Sequence, residues 1–189
     1  MTSAINTRAD SNAHNVPYQN LILSGSLGAR AIPTGQIIAK RLGVLFINLD
    51  TELQAREGHN ADDIRALFGE ARLKKLENEL CREFALRRGT VLSVNPPTLL
   101  DETNRERLGA SSVLMLLTCA LNETLHRLYV AQGARFQDPK ARSAALSTLR
   151  RDGQLLQVAD LSRLDTTRLS VEQAADRAIT FWRERTVTF

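Results

Sequence analysis

The sequence predicts an α/β fold, a three-layer α/β/α sandwich built on a five-stranded parallel sheet. Apolar segments of strand length alternate along the chain with segments that carry apolar residues at helical spacing. This alternation is typical of a parallel sheet covered by helices on both faces. The first strand, residues 20–24, carries apolar residues on both faces, as expected for a central strand of a parallel sheet. It runs into a glycine-containing turn and a helix, the connection expected between parallel strands.

Each further element is predicted from its apolar spacing and from the residue that ends it. Helix 33–42 places Ile37, Ile38 and Leu42 on one face and ends at Gly43, whereas the closing helix aligns several apolar residues with Trp182, which we interpret as an anchor in the core or at its rim. The predicted strands are 20–24, 44–47, 90–94, 112–117 and 158–164. The predicted helices are 33–42, 51–57, 61–67, 70–86, 102–108, 121–130, 141–150 and 170–183, with a polar loop over 133–140.

Length and composition favour one domain. The chain has 189 residues, of which 43% are hydrophobic and 24% charged, enough for a full-sized core. Residues 1–18 are rich in Ser, Thr, Asn and Ala without periodicity, so we expect a flexible tail there and a folded domain over 19–189.

Charge and cysteine content exclude several classes of protein. The formal net charge is only +4, and basic residues alternate with acidic ones, so we expect no nucleic-acid partner. No apolar run approaches membrane-spanning length, which predicts a cytoplasmic protein without a membrane partner. Cys81 and Cys119 are predicted to be free thiols, and the three histidines lack metal-ligand spacing, so we expect no metal site.

The segment LILSGSLGARAIPTG, residues 21–35, has the outline of a phosphate-binding loop. In such a loop a glycine-rich turn directs backbone N–H groups and a helix N-terminus at an anion. The consensus G-x-x-x-x-G-K-[ST] starts here at Gly25, and Gly28 lies within the turn. We therefore expect the strand, turn and helix to be kept.

The chemistry of the consensus is altered at three positions. The second glycine is Arg30, the phosphate-binding lysine is Ala31, and the Mg²⁺-binding Ser or Thr is Ile32. Pro33 also removes one N–H donor from the first helical turn. These changes predict that ATP and Mg²⁺ binding are lost and that the cofactor is none, although Arg30 offers a positive charge in place of the lysine.

Three strings extend the comparison beyond the loop. They are AKRLGVLFINLDTEL, GEARLKKLENEL and VLSVNPPTLLDETNRERL. From about residue 20 to the C-terminus, the chain resembles the shikimate kinase family, whose members have the P-loop fold of nucleoside-monophosphate kinases. The resemblance implies that fold, and phosphorylation of a ring carboxylic acid where the catalytic groups are present.

The resemblance also implies roles for individual residues. The family's first aspartate after the second strand is replaced by Asn48, while the second, which binds substrate hydroxyls, is Asp50. The arginines that hold the substrate carboxylate match Lys74 and Arg151. Asp50 is equally suited to capping the helix that follows, and the two cations to being solvated helix charges.

Two further family motifs are altered. The triple glycine that packs against the substrate is replaced by Asn95-Pro96-Pro97, which removes two N–H donors and adds bulk, with Asn95 left as a candidate ligand contact. The lid arginine matches Arg135 in a loop that is shortened relative to the family. Glu77 is interpreted as an ordinary charge on a helix face.

These departures leave three hypotheses. The first is a degenerate family member without ATP-dependent phosphotransfer, which binds a small anionic metabolite, such as a shikimate-like or aromatic carboxylate, or a protein partner. The second is an enzyme of different chemistry, a lyase, dehydratase or transferase, acting on a cyclic carboxylate in the same pocket with Asp50 as the candidate catalytic residue. The third is an atypical shikimate kinase. Phosphoryl transfer depends on positioning and charge neutralisation. The loss of the lysine, the hydroxyl and the first aspartate together therefore favours the first hypothesis.

Overall fold

The computed structural model describes residues 16–159 and 161–186. In this part of the chain five strands form one parallel sheet in the order β2-β3-β1-β4-β5, which confirms the predicted fold class. The strands are β1 (Asn20–Gly25), β2 (Phe46–Asn48), β3 (Val91–Ser93), β4 (Ser112–Thr118) and β5 (Ser162–Asp165).

Helices cover both faces of the sheet and connect its strands. Those within the described residues are α1 (Ala31–Leu42), α2 (Leu49–Glu57), α3 (Ala61–Phe68), α4 (Glu70–Ala85), α5 (Pro96–Leu100), α6 (Glu102–Gly109), α7 (Leu121–Gln132), α8 (Pro139–Asp152) and α9 (Val171–Arg185). Short 3-10 turns at Gly133–Gln137 and Gly153–Gln157 flank α8.

Strand β1 lies at the centre of the sheet, as its apolar sequence predicts. Leu21, Ile22 and Leu23 are fully buried. Strand β3 lies between β1 and β2, since Val91 is the register partner of both Leu21 and Phe46. The β1-α1-β2 connection therefore crosses over one strand of the sheet.

Alternate side chains of the strands build two cores. Ile22, Leu92 and Leu116 pack on one face with α4 and its neighbours. The other face packs against α1 and α9, where Trp182 is fully buried and its Nε1 donates a hydrogen bond to the carbonyl of Gln19 at 3.1 Å. Trp182 is thus a core residue, as predicted.

Several predicted bounds were wrong. Strand β2 begins two residues later than predicted and β5 four residues later, while the predicted loop over 133–140 contains a 3-10 turn and the start of α8. Helix α5 was not predicted at all. It begins with two prolines, which suit a first helical turn because their missing N–H groups need no partner there.

Most of the predicted flexible tail, residues 1–15, lies outside the described residues. Of its last three residues, Val16 packs against the α1/α9 core and Tyr18 accepts a hydrogen bond at its carbonyl from the N–H of Gly89 at 2.9 Å. Among the described helices, none combines the length and apolarity needed to cross a membrane.

Candidate functional site

A cavity of about 780 Å³ lies at the carboxyl ends of three strands. Gly25 ends β1, Asn48 ends β2 and Ser93 ends β3, and all three line the cavity. Ligands of open α/β sheets bind at this edge. A second cavity, of about 500 Å³, lies at the opposite edge, where Gln19, Ser112 and other residues precede or begin the strands.

The loop after β1 contains two residues with positive φ before α1 begins. Gly28 has a φ of 80°, and a Cβ there would lie 2.9 Å from Cγ2 of Thr124. Arg30 has a φ of 63° and is, among the described residues, the one non-glycine residue with positive φ. The N–H of Thr34 donates to the carbonyl of Arg30 at 3.1 Å, which places Arg30 at the N-cap of α1. The prediction that the strand, turn and helix are kept is confirmed.

The first turn of α1 forms one wall of the cavity. Ala31 is buried and Ile32 is 44% exposed, and both line the cavity together with Pro33. None of these side chains carries a charge or a hydroxyl. The available groups here for an anion are backbone N–H groups of the loop and the guanidinium of Arg30, which also lines the cavity.

A buried arginine holds the loop from behind. The Arg127 guanidinium donates to the carbonyls of Gly28 (2.9 Å), Thr166 (2.7 Å) and Thr167 (3.1 Å), and its Nε donates to Glu123 (2.7 Å). The Arg127 side chain is only 7% exposed. It thus ties α7 and the segment after β5 to the loop. Sequence reasoning missed this residue.

Asp50 is held by Asn95 and does not cap its helix. Asn48 is the N-cap of α2, since its Oδ1 accepts a hydrogen bond from the N–H of Thr51 at 2.9 Å. The Oδ1 of Asp50 instead accepts a hydrogen bond from Nδ2 of Asn95 at 2.8 Å. Desolvation by the cavity walls raises the pKa of Asp50 above its ordinary value, and the hydrogen bond from Asn95 opposes that effect. The capping alternative for Asp50 is therefore excluded.

The Asn95-Pro96-Pro97 segment lines the cavity without filling it. The Oδ1 of Asn95 caps α5 by accepting hydrogen bonds from the N–H (3.0 Å) and Oγ1 (2.6 Å) of Thr98. Both prolines form part of the cavity wall. Pro96 and Pro97 have no backbone N–H, and the N–H of Thr98 is already bonded to Asn95. These three residues of the first turn of α5 therefore offer a ligand no free backbone donor.

Two arginines besides Arg30 line the cavity. Arg151 is half exposed, and its Nε lies 3.4 Å from Oδ1 of Asp152. Arg65 was missed by sequence reasoning and is held by Asp62 (2.6 Å) and Glu70 (2.7 Å). Of these, Arg151 has the weaker carboxylate contact, which leaves its guanidinium available to an anionic ligand.

Two predicted ligand residues do not reach this cavity. Lys74 is exposed on α4, and Arg135 is exposed in the 3-10 turn before α8. Neither is among the lining residues. The structure thus brings Asp50, Asn95 and Arg151 together with the loop, and leaves Lys74 and Arg135 outside.

Glu77 was wrongly interpreted as a surface charge. It is 8% exposed and lines the cavity. Desolvation raises the pKa of Glu77, while hydrogen bonding to Thr98 opposes the rise and the charge of Asp50 adds to it. Its spacing from Leu73 and Leu80 places Glu77 on the buried face of α4, a signal already present in the sequence.

Replacing Glu77 by glutamine should stabilise the protein near neutral pH and leave its stability unchanged in acid. A raised pKa in the folded state means that the carboxyl stabilises the fold fully below its ordinary pKa of 4.5, and that this contribution is lost as pH rises through the raised value. Urea midpoints of wild type and Glu77→Gln should therefore diverge upward from about pH 4.5. Glu79→Gln, exposed on the same helix, is the control, and parallel pH profiles for wild type and Glu77→Gln would contradict the interpretation.

Two further sequence predictions concern metal-ligand groups and the state of the two cysteines. In residues 16–159 and 161–186, no group of three or more His, Cys, Asp or Glu side chains is arranged to hold a metal ion. Cys81 and Cys119 are free thiols, as predicted. Burial raises the pKa of Cys81 to about 12, so the thiol stays protonated and unreactive at neutral pH.

Comparison with known proteins gives the family. The shikimate kinase family model matches residues 33–183. The chain is 32% identical over 173 residues to shikimate kinase of Geobacter sulfurreducens, covering 88% of this chain and 92% of the relative. It is 26% identical over 164 residues to shikimate kinase of Thermodesulfovibrio yellowstonii, covering 85% and 93%.

Solved structures show the same fold. Shikimate kinase from Acinetobacter baumannii, in complex with shikimate, matches with a TM-score of 0.75 and 21% identity, covering 94% of this chain and 99% of that one. Shikimate kinase from Bacteroides thetaiotaomicron matches with a TM-score of 0.70 and 20% identity, covering 88% and 96%.

These findings correct the cofactor prediction. The matched family and relatives are shikimate kinases, which use ATP and Mg²⁺, so the prediction that the cofactor is none was wrong. The altered positions Arg30, Ala31 and Ile32 lie just before the range that the family model matches. Because the family model matches residues 33–183 and a shikimate kinase is 32% identical to the chain over 88% of its length, the chain belongs to the shikimate kinase family.

Proposed function

We propose that this family member binds a small hydroxylated cyclic carboxylate in the 780 Å³ cavity and transfers a phosphoryl group to it slowly or not at all. One observation carries the proposal. The polar residues Asp50, Asn95 and Arg151 line the same cavity as Ala31 and Ile32, which stand where a kinase of this fold has its lysine and hydroxyl.

The binding half of the proposal rests on two charged side chains and the amide that orients one of them. Asp50 accepts hydrogen bonds from ligand hydroxyls, and its carboxylate is held by the 2.8 Å hydrogen bond from Asn95. Arg151 offers a planar fork that matches a carboxylate, and its contact with Asp152 is long enough, at 3.4 Å, to be exchanged for a ligand.

The transfer half rests on missing charge. Phosphoryl transfer is catalysed almost entirely by positioning and by neutralising charge on the transferring group. Ala31 and Ile32 supply no such neutralisation, and Asn48, at the first aspartate position, uses its Oδ1 to cap α2. The proposal therefore limits the transfer step and leaves nucleotide binding in place.

Calorimetry with shikimate tests the binding half. Asp50→Asn and Arg151→Gln are each expected to weaken shikimate binding by about tenfold or more, because each removes a charge-assisted hydrogen bond. Lys74→Gln is the matched control and should leave the affinity unchanged, since Lys74 lies outside the cavity wall. Binding should also weaken as pH falls through the raised pKa of Asp50, because protonation removes the negative charge of the carboxylate and turns one of its acceptor oxygens into a donor.

ADP release in the presence of ATP and Mg²⁺ tests the transfer half. Shikimate-dependent turnover at about 1–100 s⁻¹, the usual range of kinases, would establish an atypical shikimate kinase and overturn this half of the proposal. Conversion of a cyclic carboxylate without ATP, abolished in Asp50→Asn, would select an enzyme of different chemistry. No binding of shikimate or related ring acids by the wild type would overturn the binding half and favour a protein partner.

A further inference from the structure

Arg30 has an unusual backbone conformation for its residue type. Its φ of 63° and ψ of 34° lie in the left-handed region, which glycine adopts freely and an L-residue with a Cβ does not. Among the described residues no other non-glycine residue has positive φ. Strain of this kind is commonly kept at functional sites, so the presence of arginine here calls for a role.

The Arg30 side chain lies at the junction of two cavities. It lines the 780 Å³ cavity and also a neighbouring cavity of about 420 Å³, whose wall includes Gly28, His126 and Arg127. Arg30 is therefore a wall residue common to both cavities.

Arg30 also differs from the other arginines of the larger cavity in its partners. Arg65 and Arg151 each contact a carboxylate. For Arg30, no hydrogen bond or ion pair of the guanidinium is made with any residue in 16–159 or 161–186, and the exposed carboxylate of Glu172 acts on it only at longer range. Its charge is therefore available to a ligand.

We infer that Arg30 is the phosphate-binding cation of this chain, taking over from the lysine that Ala31 lacks. In this chain the positive charge lies at residue 30, one position before the lysine of the consensus. The planar guanidinium of arginine can bond two oxygens of a terminal phosphate at once, which the ammonium of lysine does not do in a fixed geometry. This inference concerns the nucleotide phosphates and does not depend on the proposed binding of a carboxylate.

Calorimetry with inorganic tripolyphosphate and with ADP, without any acceptor substrate, tests the inference. Arg30→Gln and Arg30→Gly are expected to weaken tripolyphosphate binding by about tenfold to a hundredfold, whereas Arg30→Lys keeps most of the affinity. Arg82→Gln, exposed on α4, is the control and should bind as the wild type does.

Ligand-free thermal stability gives a second readout. Arg30→Gly should raise the melting temperature, because glycine adopts the positive φ without strain, and Arg30→Gln should not. A rise in stability together with a loss of tripolyphosphate affinity in the same variant separates a ligand contact from a folding defect. Wild-type affinity in Arg30→Gly, or no tripolyphosphate binding by the wild type, would overturn the inference. Neither result bears on shikimate binding.

Discussion

Arg127→Met is expected to lower the free energy of unfolding by about 3 kcal/mol, since removing one partner from a buried charged network leaves the others unpaired. Methionine matches the length of the arginine stem and offers no donor. The carbonyls of Gly28, Thr166 and Thr167 and the carboxylate of Glu123 would each lose a hydrogen bond. Urea unfolding of wild type and variant at neutral pH measures the difference.

The same substitution should also increase local opening of the loop after β1, beyond the increase that follows from its lower global stability. Arg127 bonds the carbonyl of Gly28, while Oγ1 of Thr166, which also contacts Arg127, lies 3.4 Å from the carbonyl of Ala29. Hydrogen exchange over residues 25–30 should therefore accelerate more than exchange in β1. Arg142→Met, exposed on α8, is the control for removing a positive charge. If the free energy of unfolding of Arg127→Met lay within about 0.5 kcal/mol of the wild-type value, the hydrogen bonds of Arg127 would not stabilise the loop as proposed.

The fold was predictable because its signals are local. Apolar strand segments, helical spacing and terminating glycines can each be recognised within a short segment. The central position of β1 was predictable because Leu21–Leu23 are all apolar, as a strand that is buried on both faces requires. Helix α5 was missed because its two prolines, usually taken as helix breakers, occupy the first turn, where they are tolerated.

The candidate site was predictable only in part. Asp50 and Asn95 follow the ends of β2 and β3, so the sheet itself brings them to one edge. On α4, however, each successive residue is rotated by about 100° around the helix axis. Glu77 therefore lies on the buried face of α4, whereas Lys74 lies outside it. Family correspondence favoured Lys74, whereas helical spacing favoured Glu77 as the residue inside the cavity.

Arg127 could not have been found from the sequence. Three of its four partners described above are backbone carbonyls, which carry no residue identity, and they lie 39 to 99 residues away along the chain. Its one sequence signal, Glu123 four residues earlier, is shared by many exposed helix pairs. Contacts of this kind depend on the assembled fold.

Restoring the family's missing groups should produce the largest functional change. The triple variant Ala31→Lys, Ile32→Ser, Asn48→Asp is expected to raise shikimate-dependent ADP formation by at least about 10³-fold over the wild type. Each restored group acts on charge that develops during transfer, and single groups of this kind are worth about 10²–10³ in rate. A coupled assay for ADP at saturating ATP, Mg²⁺ and shikimate measures the gain.

The three changes lie at the cavity. Ala31 and Ile32 both line its wall, and Ile32→Ser shortens a side chain that is 44% exposed. Aspartate at residue 48 keeps the N-cap of α2, because a carboxylate accepts the hydrogen bond of Thr51 as the amide oxygen does and favours a helix N-terminus.

A matched variant separates charge from bulk. Ala31→Met, combined with the same Ile32→Ser and Asn48→Asp changes, fills a comparable volume without an ammonium group and should recover little of the activity. If the lysine variant bound both ATP and shikimate and still gained no turnover, the deficit would lie elsewhere in the cavity. Pro96 and Pro97, which present no N–H to the bound acceptor, are then further differences in its wall, together with Arg30 and Asn95. Equal activity of the lysine and methionine variants would show that charge at residue 31 does not limit transfer in this chain.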